Sequence, residues 1–214
     1  MNWLVELILR SAQKEYGRAT KSFATAWGFI LFEVLLPGSI LLASLGVEHF
    51  VGIDQLLHLR FDVQIGVRLA LFLPLLAVGQ LFVIWTATDQ LRLSGGTPAF
   101  KVPPKRLLVA GPFAYCRNPM VFGYLLYYYG LAFLFASPIA LFGLCPALNL
   151  FALYVIVEVE EVELEHRFGA DYLEYKARVN RMIPLPAPVR RLLRRRWERP
   201  DASAESVDPE QPGN

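Results

Sequence analysis

Forty consecutive residues, Asn118 to Val157, contain no Asp, Glu, Lys or Arg. A single helix of that length, at about 1.5 Å per residue, would measure about 60 Å. A bilayer's hydrocarbon core is about 30 Å thick, so the stretch fits two crossings better than one. Buried helices of soluble proteins normally keep a charged face, which this run lacks. Composition agrees: 55% of the 214 residues are hydrophobic, against about 45–50% in ordinary soluble domains. The expected fold class is all-α, a multi-pass transmembrane helical protein with about four spans and a cytoplasmic C-terminal helix.

The first span is expected from Phe23 to Gly46, enclosing Glu33 and Pro37, and the second from Gly66 to Thr88, with Arg68 at its start and Pro74 inside. The third runs from Met120 to Ser137 and the fourth from Pro138 to Val157, with Pro146 inside. Ser137-Pro138 divides the last two, because proline disfavours helix at the residue before it. Of the 21 Lys and Arg residues, only Arg60 and Arg68 fall outside the N-terminal segment, the 89–117 connection and the region after Val157. That asymmetry places the connection and both termini in the cytoplasm. A bacterial plasma membrane is the expected location. The net charge of +2 gives no reason to expect a nucleic-acid partner. Residues 1–22 lack the basic tip and apolar run of a cleavable signal. Trp3, Leu4, Leu7 and Ile8, interleaved with charges, read instead as an interfacial helix. Cys116 and Cys145 have neither metal-ligand spacing nor the look of a disulfide framework.

Residues able to carry chemistry concentrate in two cytoplasmic segments. The first is the Gly- and Pro-rich loop from Leu93 to Met120, whose apolar residues argue against disorder and whose glycines permit close backbone approach to a ligand. A plain connector is the alternative. The second is Glu158, Glu160, Glu161, Glu163 and Glu165 at the end of the fourth span. Like charges one turn apart repel, so cations from the loop or a cationic ligand are expected to compensate. A solvated helix face accounts for Glu163 and Glu165 better than for Glu160 and Glu161. Glu33, ionisable inside an apolar span, is a functional candidate. His166 reads as a surface residue.

Together the two segments resemble the isoprenylcysteine carboxyl methyltransferase and phospholipid methyltransferase superfamily. The resemblance rests on Gly111-Pro112-Phe113, Arg117-Asn118-Pro119-Met120 and Gly123, then Glu160-Glu161, Leu164, Phe168-Gly169, Tyr172, Tyr175 and Met182-Ile183-Pro184. It implies an S-adenosylmethionine-dependent membrane methyltransferase acting on a lipophilic substrate, either a lipid amine or an isoprenylcysteine-like carboxylate. By position it implies cofactor contacts from Lys105, Arg106, Leu107, Leu108 and Phe113 in the loop. Asn118, Pro119, Met120 and Val121 follow, with Glu160 and Glu161 from the helix beyond the hairpin. The family's carboxyl methyltransferases carry a substrate-binding arginine one turn before the glutamate pair; Ile156 stands there in this chain. The implied division is an interfacial helix at 1–22, two spans at 23–88, a methyltransferase core at 89–184, and a basic, then disordered, tail at 185–214. Two other classes remain open: an NADPH-dependent sterol-type reductase of related architecture, and a non-catalytic transporter or scaffold using Glu33.

Overall fold

The computed structural model describes residues 3–51, 63–94, 96–97 and 102–186. The expected basic stretch at Arg190–Arg196 and the expected disorder at 198–214 lie outside them. All regular structure among the described residues is helical. The elements are α1 (Trp3–Ala12), α2 (Arg18–Phe50), α3 (Ile65–Ser94), α4 (Pro119–Leu134) and α5 (Ala140–Arg178), with a single 3-10 turn at Gly111–Ala114. Helices α2, α3 and α5 are long and apolar enough to cross a membrane, and the chain is an integral membrane protein. Helix α4 is apolar but has 16 residues, about 24 Å at 1.5 Å each. It ends three residues before Ser137, where the expected third span ended.

Helix α4 is the centre of the bundle. Its Tyr124, Tyr128 and Ala132 are buried with Val83 of α3 and Ala140 and Cys145 of α5, and Phe29, Phe32, Leu36 and Ile40 of α2 pack on this cluster. Large apolar side chains elsewhere on α2, among them Trp27, Leu42 and Phe50, are exposed, as a lipid-facing surface requires. Helices α3 and α4 form the most extensive pair because glycines let their backbones meet. A Cβ on Gly123 would stand 2.5 Å from the Gly79 carbonyl oxygen and 2.8 Å from a Val83 methyl. Small residues at such a crossing are a common device in membrane bundles.

The prolines shape the helices. Pro37 has no N–H to give the Glu33 carbonyl four residues earlier. The preceding turn, Ile30–Leu35, widens to a π-helix, so the Leu36 N–H reaches Leu31 and leaves the Phe32 carbonyl free as well. Helix α4 supplies both missing donors: the Tyr127 hydroxyl donates to Glu33 O at 3.1 Å, and that of Tyr128 to Phe32 O at 2.8 Å. The Gln80 amide donates to the Glu33 carboxylate at 2.8 Å. Glu33, a candidate from its position, thus sits where α2 is stitched to α3 and α4. A π turn at Ala140–Leu144 likewise precedes Pro146. Glu48 of α2 accepts from Ser137 Oγ at 2.6 Å and from the Ile139 N–H at 3.1 Å, a carboxylate beside the start of α5 that complements the helix dipole.

Helix α5 is 39 residues long, about 58 Å, but its charge-free part ends at Val157. The rest projects beyond the apolar layer. It bends at Gly169, whose φ of 52° favours a residue without a Cβ. Helix α1 packs against this projection: Val5 and Ile8 are buried on Val159 beside Val155 and Val162. Trp3 and Leu7 remain exposed, so α1 divides its apolar residues between α5 and its outer face.

Candidate active site

The cavity of interest opens where α3 and α5 leave the apolar layer, and it encloses about 220 Å³. Its walls come from α1 (Ile8), α2 (Phe32), the end of α3 (Thr86, Gln90), the loop, the start of α4 and the projecting half of α5. The loop reaches the site through a chain of local contacts. Lys105 N–H donates to Ser94 O at 2.8 Å, and Thr97 N–H to Val102 O at 2.9 Å. Gly96 lies so near Pro104 that a Cβ would stand 2.6 Å from its backbone. Arg167 of α5 donates to the Pro104 carbonyl, to Glu163, and lies over the Phe168 ring. Residues 102–108 are thereby held as a strap across the cavity. Leu107 and Phe113 pack, together with Leu164 and Phe168, on the cluster of Tyr172, Tyr175 and Val179, and the Tyr175 hydroxyl donates to Phe113 O at 2.8 Å. The segment after α5 closes the assembly: Arg117 N–H donates to Asn180 O, Asn118 N–H to Arg181 O, and Leu185 N–H to Tyr115 O.

The adjacent glutamates of α5 have different surroundings. Glu161 is 3% exposed. It meets Arg117 at 2.7 Å, Arg181 at 2.7 Å and Lys176 at 3.0 Å. Burial alone would raise its pKa, but the bonds from Arg181 and Lys176 and the charge of Arg117 outweigh it and hold the carboxyl at about 2. Glu160 faces the cavity and has no hydrogen-bond or ion-pair partner among the described residues. Desolvation, then repulsion from Glu163 and Glu161, pushes its pKa up to about 7. Arg117, with 8% of its side chain exposed, gives Nη1 to Lys176 O and Nη2 to Glu161. Its Nε is buried with no partner among the described residues. Cys116, fully buried, has its thiol pushed up to about 12 by burial, which makes it inert at neutral pH.

Of the residues that the family resemblance implies as cofactor contacts, all but Lys105 line this one cavity. Lys105 is exposed and lies 3.6 Å from Glu15. Glu161 lines the cavity with its oxygens committed to cations. The expectation of a solvated face at Glu163 is corrected: Glu163 is 5% exposed, paired with Arg167 and part of the wall. Glu165 is half-buried and bonded to Lys176 at 2.5 Å; His166 is exposed. Sequence reasoning did not single out Phe32, Thr86, Gln90 or Tyr124 as wall residues. Thr86 and Gln90 carried a signal, two polar residues four apart at the end of an apolar span, which share one helix face.

Residues 67–171 match the phospholipid methyltransferase family model. The protein-S-isoprenylcysteine O-methyltransferases of Mus musculus and Rattus norvegicus are each 34% identical to the chain over 79 residues. Both matches support the isoprenylcysteine carboxyl methyltransferase and phospholipid methyltransferase superfamily for this chain. The matched segment is 36% of this chain and 27% of the length of those two relatives. No solved structure shows significant similarity to the chain. The superfamily match takes in α3, the loop, α4 and α5 as far as Asp171, which contribute most of the cavity wall.

Proposed function

We propose that the chain is an S-adenosylmethionine-dependent membrane methyltransferase whose cofactor enters from the cytoplasm and whose lipophilic acceptor reaches the cavity from the bilayer. The observation that carries the reading is Glu160: a carboxylate with no partner among the described residues, facing a cavity built from the family's motif residues. A carboxylate accepts from a ribose diol or an amino group. The buried Arg117 Nε–H is a complementary donor for a ligand carboxylate. Phe113, Phe168, Tyr172 and Tyr175 offer faces to a purine or a sulfonium. The donor set fits the cofactor. The cavity, at about 220 Å³, is smaller than the ~300–1,000 Å³ of most ligand sites. A nucleoside-sized ligand therefore projects at the rim or displaces the 102–108 strap.

When bound, the cofactor supplies a sulfonium methyl group, which an acceptor lone pair takes as the carbon–sulfur electron pair returns to sulfur. The protein's part is to hold the acceptor in line and exclude water. Phe32 and Tyr124, stacked at 5.2 Å, wall the membrane-side end of the cavity.

Four crossings, with both termini cytoplasmic, go with this reading. Helix α1, the loop and the segment after α5 all meet at the charged end of α5. A chain that enters and leaves the bundle on one side crosses an even number of times. Helix α4, enclosed by the others, then makes its crossing largely against protein.

Calorimetry on the detergent-solubilised protein tests the cofactor assignment. Losing a charge-assisted bond costs about 1.5–3 kcal/mol, so Glu160→Gln is expected to weaken S-adenosylmethionine binding roughly ten- to hundredfold. Equal affinity in the two proteins removes Glu160 from the site. No binding by well-folded wild type removes the methyltransferase reading.

A further inference from the structure

A second cavity lies at the end of the bundle opposite the candidate active site. It encloses about 230 Å³ between the start of α3, the end of α4 and the start of α5. Val67, Leu71, Phe133 and Leu141 supply much of its wall. Val67 and Leu71 are also exposed on the outside of α3, so the cavity opens toward lipid. Its surface is apolar throughout. Such a space suits hydrocarbon, because water would find no polar partners there.

Arg68 joins this wall. With no polar atom on the cavity surface, it does so through its methylenes and carries its charge at the rim. There Nε donates to Val63 O at 2.6 Å. The two Nη groups have no hydrogen-bond or ion-pair partner among the described residues. Glu48, the carboxylate that α2 brings to this end, is committed to Ser137 and the Ile139 N–H. Helix α3 has no acidic residue in its first turn, so the cation stands where the helix dipole favours an anion. The following residues, Leu69 to Thr88, carry no Asp, Glu, Lys or Arg. They make about 30 Å of helix, the thickness of a hydrocarbon core. Arg68 therefore sits at the depth of lipid headgroups, above an open apolar cavity.

We propose that this cavity and Arg68 together bind an anionic phospholipid, with one acyl chain in the cavity and the phosphate on the Arg68 guanidinium. A planar guanidinium pairs with phosphate through parallel N–H bonds. The phosphate meets the cation and the positive end of the α3 dipole at once. A zwitterionic lipid would bring a second cation to that place, so an anionic headgroup is favoured. The site is at the far end of the bundle from Glu160, and the inference does not depend on the methyltransferase reading.

The test uses full-length wild type, Arg68→Gln and Val67→Trp, purified in a neutral detergent. Arg68→Gln removes the charge; Val67→Trp keeps it and fills the cavity from an exposed position. Native mass spectrometry counts the lipids each protein keeps during titration with dioleoylphosphatidylglycerol or dioleoylphosphatidylcholine. Wild type is expected to keep one phosphatidylglycerol that each variant loses, with affinity for it falling roughly tenfold or more. The basic stretch at Arg190–Arg196 is the same in all three proteins, so lipid held there does not affect the difference. Wild type is expected to prefer phosphatidylglycerol to phosphatidylcholine, and inorganic phosphate is expected not to displace it. Equal retention of phosphatidylglycerol by wild type and Arg68→Gln overturns the proposal, as does equal retention of the two lipids by wild type. Undiminished binding by Val67→Trp shows that no chain enters the cavity and also overturns it. Full displacement by inorganic phosphate would show a headgroup contact without a seated chain, with the same consequence. Should Arg68→Gln fail to fold, Val67→Trp and the comparison of lipids still decide.

Discussion

Glu161→Gln is expected to destabilise the protein far more than Glu160→Gln, although the two residues are adjacent. Glu161 gathers Arg117 from the loop, Lys176 from beyond the Gly169 bend and Arg181 from the segment after α5. The amide keeps the size and removes the charge. Lys176 and Arg181 are about a third exposed (32% and 36%) and can rehydrate, so their share is discounted. Arg117 is 8% exposed and is left as a buried cation. Stranding one partner of a buried pair costs about 3–5 kcal/mol; with Arg117 dominant, the lower end applies. At about 2–4 °C per kcal/mol for a chain of this size, the melting temperature falls by roughly 6–12 °C. Glu160→Gln strands no cation and relieves repulsion, so its melting temperature is expected to be equal to wild type or higher. Thermal unfolding of the solubilised proteins, followed by loss of the monodisperse peak in size exclusion, measures both. Equal shifts in the two variants, or Glu161→Gln melting within 2 °C of wild type, would refute the reasoning. The pH windows also differ in sign. Glu161 is held at about 2, below the ordinary 4.5, so its stabilisation is present above about pH 4.5 and is lost as pH falls toward 2. Glu160, raised to about 7, contributes stability below pH 4.5 that is lost as pH rises through 7.

If Glu160 must be ionised to accept from the cofactor, S-adenosylmethionine affinity rises up to tenfold per unit as pH increases toward about 7 and then levels off. Calorimetry at pH 6 and 8 reads this, and a Glu160→Gln protein is expected to lose the dependence. Gly123→Leu is expected to push α3 from α4, because even a Cβ lies 2.5 Å from Gly79 O; the loss of about 1–3 kcal/mol typical of overpacking would show as a lower melting temperature. Single cysteines introduced at positions 14 and 105, both exposed, are expected to react with an impermeant maleimide from the cytoplasmic side and one at 54 from the other. The buried native Cys116 and Cys145 keep the background low, and opposite-side labelling of 14 and 105 would overturn the topology.

The apolar helices and their order were legible because 40 uncharged residues leave no soluble alternative. Helix ends were less so. The third span was read to Ser137, yet α4 stops at Leu134, because the next residues form a turn containing Ala136 at φ 50°. No hydrophobic pattern encodes that. Glu33 looked like an isolated intramembrane acid, since Gln80 and Tyr127 are distant in sequence and meet it only through packing. Glu163 looked solvated because its partner's second role, a bond from Arg167 to the Pro104 carbonyl, depends on where a Pro-rich loop lands. The cavity's motif residues were legible through the family resemblance. The α3 wall was not, since Thr86 and Gln90 stand outside the motif and read as the polar end of a span.

The glutamate pair unites these observations. Consecutive residues on a helix point about 100° apart, so a pair at the mouth of a cavity cannot serve one ligand equally. Here the geometry divides them. Glu161 turns toward the loop and the segment after α5, where three cations meet it. By holding Arg117 it holds the turn that begins α4, and with it Asn118 and Pro119 at the cavity wall. Glu160 turns toward the cavity, and the negative charge of its neighbours raises its pKa. That tension is unfavourable in the free protein and is relieved by any ligand that brings donors or positive charge. On the proposed reading, the fixed carboxylate shapes the site and the strained one takes the ligand. On this division, replacing Glu161 is expected to weaken cofactor binding only indirectly, in step with the loss of stability. Replacing Glu160 is expected to weaken it with stability intact.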